Sequence, residues 1–582
     1  MSSSSRDKLT LALFFIGLAI SMASSAGYSI NYIPSTYQFG LLQMLPPLFW
    51  FGFALCLVSL VGGIRRDGEK TFIIKFIMLY LLIWSIPTLF LQNPYFWDSY
   101  NHTFEAMPIM FSGHVPVLSA TLPEVFTFYP AEFPGFHILL TSIFQVTNAS
   151  VIPFAKFYPI FSSLVTFLAI LLFFKTFLPS VSYRWALLIS VLVNVYMQFH
   201  VSPQSAGLIA GILILVALEK PGLRWKSIAI VLFAFLVVSH PTTVFILLPI
   251  VVLAWLLRIA LLRDVRALRD LAPLFLAMWL VWMMVHAVSL QQSMVELATA
   301  PGGAAQGTGI SFLDRPIGTA GERLETIFYY APRIRFAVLA LFGLCSAYYL
   351  VTQWFSRAGR KDRNLAIYTA FIIAPVVMTV LDVTFIETDQ LHDRYFLFFL
   401  LAAPILLLRL AERNEPPPMT GLIQSNDATL PSSARTKWRR LFGWKAFFPM
   451  LLLLALFNFT TTYYQSSKFV SSDETVFASN FVNSKCDSSQ VIGGKLIPDL
   501  DHPYQSSTLR QTPFYHFYPQ PLTDLKLPSV IIIDDHDRIW YQVQYGIEKY
   551  DFYAHADELE DSLGKVYSNS RYDIYWFEGG TG

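Results

Sequence analysis

The chain is short of charge and of cysteine. Of its 582 residues, 14% are Asp, Glu, Lys or Arg and 54% are hydrophobic, whereas a water-soluble chain carries about 25% charged residues. That deficit excludes an ordinary soluble protein of this length. The three cysteines, Cys56 and Cys345 in apolar runs and Cys486 in a polar tail, cannot build a disulfide framework. A net charge of +2 gives no electrostatic footprint for a nucleic-acid partner. What the chain has instead is a mean hydropathy of +0.50, gathered into runs near 20 residues, the length that crosses about 30 Å of hydrocarbon as a helix. The expected fold class is an α-helical polytopic membrane protein.

About 13 spans are expected from apolar length: 9–29, 41–63, 71–91, 157–177, 184–199, 202–218, 226–239, 241–258, 271–289, 334–356, 365–384, 394–410 and 445–463. The first reads as an uncleaved span rather than a signal peptide, because its apolar run is long for an h-region. Basic clusters at 64–70, 175–184, 219–226, 258–270, 357–364 and 435–440 mark the cytoplasmic side by the positive-inside bias. The N-terminus is then inside and the C-terminus outside, a multi-pass arrangement in the cell membrane, provided that the short apolar piece 134–147 is re-entrant or interfacial. Residues 1–463 form the membrane domain, interrupted by a polar, Pro- and Ser/Thr-bearing cytoplasmic linker at 411–444. From 464 to 582 the composition becomes that of a small extracytoplasmic α/β domain. A helix near 474–483, strands at 490–494 and 529–535, a helix at 556–563 and a closing strand at 572–577 are expected there.

A second absence is local. Gln92–Phe133 contains no Lys or Arg, yet carries Asp98, His102, Glu105, His114, Glu124 and Glu132, and loops of this length are usually functional or disordered. With Asp98–Met107 as a helix, Asp98, His102 and Glu105 share one face while Tyr100, Phe104, Met107 and Phe111 line the other. Pro108 is expected to end or kink that helix. An aspartate held near a histidine at a cavity mouth can act as a general base toward a hydroxyl or bind a divalent cation, and the spacing fits either role. His137, directly after "FPG", is placed to orient the acidic helix.

The form Asp-x-x-x-His after an early span, followed by "YPAEFPGFH" (129–137), resembles the first external loop of the GT-C glycosyltransferases. "SHPTT" (239–243), "HDRYF" (392–396) and an outer C-terminal domain extend the resemblance along nearly the whole chain. It implies a GT-C-like fold and transfer of a sugar from a polyprenyl-phosphate donor to an acceptor hydroxyl on a glycan, lipid or protein. Asp98 matches the catalytic base, beside His102 and Glu105. Two extra spans precede the loop and no "WWD" triplet occurs, so the resemblance does not reach the oligosaccharyltransferases.

A leaving lipid phosphate needs fixed cationic donors. Arg394, His392, His240 and Arg333 are the candidates, with capping of backbone freed by Pro241 an equal reading for His240 and headgroup anchoring one for Arg333 and Arg335. The loop 290–333 holds "APGGAAQGTG" (300–309), which suits a cover that closes over substrate. Glu387, Asp389 and His137 complete the set as supporting residues or metal ligands. If the 387–393 group meets Asp98, His102 and Glu105, an O/N site for Mg2+ or Mn2+ results; sequence leaves the cofactor open. The competing function is a transporter or flippase of a lipid-linked or polar substrate, which predicts internal repeats and ionisable groups near the midplane of several spans.

Overall fold

The computed structural model describes residues 3–115, 131–260, 270–287, 325–356, 362–381, 392–413 and 444–463, less 32, 34–36, 38, 97, 179–182, 196, 198, 361 and 363. Short pieces at 475–482, 490–492, 510–512, 529–534, 564–568 and 572–577 describe the C-terminal region, less 476 and 480. The chain is mostly helical, and each expected apolar run contains a helix, although several are shorter than expected or broken, as 41–63 and 71–91 are. Four helices are long and apolar enough to cross a membrane: Val151–Phe177, Pro241–Ala260, Arg333–Trp354 and Arg394–Ala411. Eight shorter apolar helices accompany them. The chain is thus a helical membrane protein. Helix Gly135–Thr147 has 13 residues and reaches only about 20 Å, too short to span alone.

The first helix, Ser3–Ala23, packs along Pro47–Gly63 through small residues. A Cβ on Gly17 would lie 2.6 Å from the Gly52 carbonyl oxygen, and one on Gly52 would lie 2.5 Å from the Gly17 oxygen. Ser21, four residues after Gly17, donates its hydroxyl to Phe49 O at 3.1 Å. Close backbone approach through small-xxx-small spacing drives helix association where lipid removes the hydrophobic incentive.

Helix Tyr183–Val193 stops well short of the expected span 184–199. The described residues from Asn194 to Ser202 leave the helix yet stay buried. Non-helical backbone at such depth is tolerated only where protein satisfies it, and Asn458 does so for the Val193 carbonyl while Asn194 ties the stretch to a neighbouring helix. Asn458 Nδ2 donates to Val193 O at 2.6 Å, and Asn194 Nδ2 donates to Leu397 O at 3.0 Å. Helix Pro203–Glu219 then restarts with Ser202 as its N-cap, the Ser202 hydroxyl accepting from Ser205 N at 3.3 Å. The broken stretch delivers His200 to one end of the bundle.

The two ends of the bundle differ chemically. At one end, Lys75 pairs with Asp67 at 2.9 Å, both side chains buried, while Arg184 Nη1 donates to Ile64 O and Asp67 O. Arg258 pairs there with Glu219 and Asp270, and Arg409 with Asp362. The opposite ends of the same helices carry His200, His240 and Arg394.

In the C-terminal region five strands, β1 Gln490–Ile492, β2 Arg510–Thr512, β3 Ser529–Asp534, β4 Gly564–Ser568 and β5 Tyr572–Phe577, form one sheet in the order β2-β1-β3-β5-β4. β1 pairs parallel with β2 and β3; β5 pairs antiparallel with β3 and β4. Ile532 and Ile574 face each other across β3 and β5 and bury Ala478 and Val482 of the preceding helical segment. Strands stand at the expected 490–494, 529–535 and 572–577, and β2 and β4 are additional to them. The linker 411–444 beyond Arg413 and the expected helix 556–563 lie outside the described residues.

Candidate functional site

Helix Asp98–Ser112 begins at the aspartate itself, where a negative charge is favoured by the free N–H groups and the helix dipole. Its apolar side is seated as the pattern requires: Tyr100, Phe104 and Met107 are buried. Phe111, expected on the same side, is exposed. Pro108 does not end the helix, which continues to Ser112. Pro108 removes a single N–H, and the neighbouring turn is held from outside by Thr141, whose hydroxyl donates to Ala106 O at 3.0 Å.

The polar side forms a continuous chain of five side chains. His102 Nε2 lies 3.3 Å from Asp98 Oδ2, and His102 Nδ1 lies 2.9 Å from Glu105 Oε2. His137 Nε2 reaches the same Glu105 oxygen at 2.9 Å. At the other end, His200 Nε2 reaches Asp98 Oδ2 at 3.3 Å. His200 is fixed by stacking flat on Phe96, with ring centroids 4.0 Å apart and planes 8° from parallel. Thus i,i+4 and i,i+3 spacing on one helix supplies three members, and two other segments supply the rest.

Exposure is graded along this chain. The Asp98 side chain is 38% exposed, His102 and Glu105 12% each, and His137 fully buried. Both imidazoles use Oδ2 of Asp98, and Oδ1 carries no hydrogen bond among the described residues.

The charges follow from competition between burial and partners. Burial opposes ionisation of Asp98, but His102 and His200 outweigh it and hold the carboxyl well below the usual carboxylate range. Burial likewise works against protonation of His102, and Asp98 and Glu105 overcome it, pushing the imidazole up to about 10. Glu105, despite burial, is brought down to about 2 by His102 and His137. For His137 burial wins over Glu105, and its basicity falls below the ordinary value. His200 is lowered too, by burial foremost, with the His102 charge and then that of Arg394 adding to it against Asp98.

His240 stands at the break between helices Leu223–Ser239 and Pro241–Ala260. Its Nδ1 accepts from Thr243 N at 3.2 Å and lies 2.5 Å from the Thr243 hydroxyl. The capping reading therefore holds, and it leaves the hydrogen on Nε2. Burial and then the positive charge of Arg394 keep this imidazole well below its ordinary value. The Arg394 charge is thus felt at both His200 and His240, and helix Pro241–Ala260 touches the helix that carries Arg394. Gly207 belongs to the same cluster: a Cβ there would press on Thr243 Oγ1 at 2.7 Å.

Of the remaining candidates, Arg333 is half-buried within the long helix Glu325–Trp354, at the first residue of its apolar stretch. Arg335 turns to protein rather than headgroup, donating from Nη2 to Thr461 O at 2.6 Å and from Nε to Thr461 Oγ1 at 3.0 Å. Glu387, Asp389, the His392 side chain and the loop segment 300–309 lie outside the described residues. The residue that sequence reasoning undervalued is His200. Its signal was an isolated imidazole beside "VSP" at a span end, which reads equally as a cap.

His102 Nδ1, Glu105 Oε2 and His137 Nε2 lie within 4.8 Å of one another and can hold a metal ion. The ionised Asp98, open on one oxygen, can take a proton from an incoming hydroxyl, and the Arg394 region offers positive charge nearby. No family model matches this chain, and no curated protein matches it in sequence.

Proposed function

We propose that the chain is a membrane glycosyltransferase that moves one sugar from a polyprenyl-phosphate-linked donor to an acceptor hydroxyl at the outer face of the membrane, with Asp98 as general base. The observation that carries the reading is the state of Asp98: ionised, gripped on Oδ2 by two imidazoles, and exposed with Oδ1 unengaged. The acceptor proton passes to Oδ1 as the acceptor oxygen forms its bond to the anomeric carbon. The bond from that carbon to the lipid-phosphate oxygen breaks, and the electron pair leaves with the phosphate. Arg394, whose charge is felt at His240, supplies the fixed positive charge, and His240 a donor, that such a leaving group needs. Asp98, His102 and Glu105 are the catalytic set in this reading; Arg394, His392, His240 and Arg333 receive the phosphate; Glu387, Asp389 and His137 support them.

The same proposal takes about 13 spans, a GT-C-like membrane domain, a cytoplasmic N-terminus and an outer C-terminal domain. The ion-paired basic end of the bundle supports that orientation through the positive-inside bias. Acceptors are lipid-linked glycans, lipids or proteins. A transporter draws on a different observation, the unwound buried stretch after Val193, since carriers use broken helices at their binding sites.

The test is sugar transfer by purified protein in detergent or lipid, with a panel of polyprenyl-phosphate sugars and native membrane extract as acceptor. Asp98→Asn that folds and binds donor but transfers nothing supports the base. Transfer unchanged in Asp98→Asn removes Asp98 from catalysis, and vesicle uptake of donor without transfer moves the chain to the carriers.

A further inference from the structure

We propose that His102 Nδ1, Glu105 Oε2 and His137 Nε2 bind one divalent transition-metal ion of the zinc class, with Asp98 standing behind His102 as its outer partner rather than as a ligand. The three atoms are 2.9, 2.9 and 3.3 Å apart. Ligand atoms about 2.0–2.2 Å from a tetrahedral ion stand about 3.3–3.6 Å from one another. The cluster therefore needs to open by only a few tenths of an ångström.

The outer contacts decide which atoms are left for the ion. His102 turns Nε2 to Asp98, so a neutral ring carries its hydrogen there and offers a lone pair at Nδ1. His137 meets Glu105 with Nε2, and its buried Nδ1 faces away from the cluster. With its hydrogen on Nδ1, the neutral ring presents its lone pair at Nε2. With His102 neutral, two imidazole nitrogens and a carboxylate oxygen face one point, so a metal ion there takes the place that the His102 proton holds in the metal-free protein. Metal-bound histidines show this arrangement, with the distal N–H given to a carboxylate or a backbone carbonyl. The three residues come from two helices, Asp98–Ser112 and Gly135–Thr147, packed directly on each other. The position is therefore held by rigid elements.

Two imidazoles and one carboxylate suit zinc and its neighbours; Mg2+ prefers an oxygen shell with retained water. The donor set thus differs from the Mg2+ or Mn2+ site that the sequence suggests from Asp98, His102, Glu105 and the 387–393 group. Three protein ligands leave a fourth position for water or substrate. The inference stands apart from the sugar-transfer reading, because metal content is measured without turnover.

The experiment uses the full chain, with its affinity tag removed, stripped with chelator in detergent. It is equilibrated separately with Zn2+, Mn2+ and Mg2+, gel-filtered and analysed by elemental mass spectrometry. The expected result is close to one zinc per chain, no retained magnesium, and loss of zinc in Glu105→Gln and His137→Gln. His114→Gln, an exposed histidine just beyond the same helix, keeps it. Substituting buried His137 can cost folding, so a second measurement needs no variant. Co2+ added to the stripped wild type develops visible d–d bands that Zn2+ abolishes and excess Mg2+ does not. Wild type that retains no zinc and gives no Co2+ bands overturns the proposal, as does zinc retained in full by folded Glu105→Gln.

Discussion

Replacing Glu105 by Gln tests whether the buried network is held by charge, and the metal-free protein, kept in chelator, gives the sharpest reading. Glu105 Oε2 meets both His102 Nδ1 and His137 Nε2 at 2.9 Å, with its side chain 12% exposed. Glu105 is depressed to about 2, so its contribution is present above its unfolded value near 4.3 and is lost as pH falls through about 2. His102 is raised to about 10, so its contribution is full below its unfolded value near 6.5 and is lost as pH rises through about 10. The network therefore stabilises most between about pH 4.5 and 6.5. Breaking one partner of a buried pair costs about 3–5 kcal/mol. Asp98 still engages His102 and the amide keeps its shape, so the lower end of that range is expected at pH 6. The assay is thermal unfolding in detergent at one fixed scan rate, because large membrane proteins unfold irreversibly. Glu105→Gln should unfold several degrees below wild type at pH 6, and the gap should narrow toward pH 10 as wild-type His102 loses its proton. A gap that stays constant from pH 6 to pH 10 would refute a charged His102 in the metal-free protein.

Other expectations follow from the same contacts. Asp98→Asn should weaken zinc binding about 10–100-fold, the usual cost of losing an outer partner, and lower sugar transfer by about 10²–10⁴, read by metal titration and by kcat. Lys75→Met strands buried Asp67 and should destabilise by about 3–5 kcal/mol, while Lys75→Met with Asp67→Leu should recover most of that; thermal unfolding measures both. Gly52→Leu, at a site where even a Cβ would collide with Ser21 Oγ, should separate the first helix pair and cost about 1–3 kcal/mol, seen as new cross-linking or proteolysis near residue 23. Asn458→Leu leaves the Val193 carbonyl without its 2.6 Å donor and should cost about 1–3 kcal/mol by the same unfolding assay.

Much of this site was legible because it is local. Asp98, His102 and Glu105 are three members of one helix face, and 3.6-residue periodicity alone brings them together. The apolar runs likewise declare their helices by composition. His137 was reachable as a neighbour of the acidic helix, although its partner, Glu105, came only with the packing of the two helices. His200 and Arg394 were not reachable as members of the set, since their meeting with Asp98 and His240 depends on a helix that stops at Val193. Nothing in "SVLVNVYMQFH" forbids the helix from running on. The stop is sustained by Asn194 reaching Leu397 and Asn458 reaching Val193, contacts spanning 203 and 265 residues in sequence. Pattern reading has no access to such distances.

Those long contacts also explain why the chemistry can stand where it does. Leaving the helix after Val193 inside a membrane domain frees backbone groups that lipid cannot satisfy; Asn458 answers the Val193 carbonyl, and Asn194 anchors the stretch to Leu397 O. The return is an imidazole carried to Asp98 from outside its own helix, stacked on Phe96 so that it cannot swing away. Without His200, Asp98 would keep one imidazole partner and its carboxylate would turn more freely in its exposed position. With it, Oδ2 is held from two directions and Oδ1 is fixed in orientation, the condition for a base that must meet a hydroxyl at one angle. A bundle with uninterrupted spans would retain the acidic helix and lose that restraint. His200→Phe, which preserves the stack on Phe96 and removes the nitrogen, therefore separates packing from restraint: unchanged unfolding with a lowered kcat assigns His200 to holding Asp98, and unchanged kcat removes it from the site.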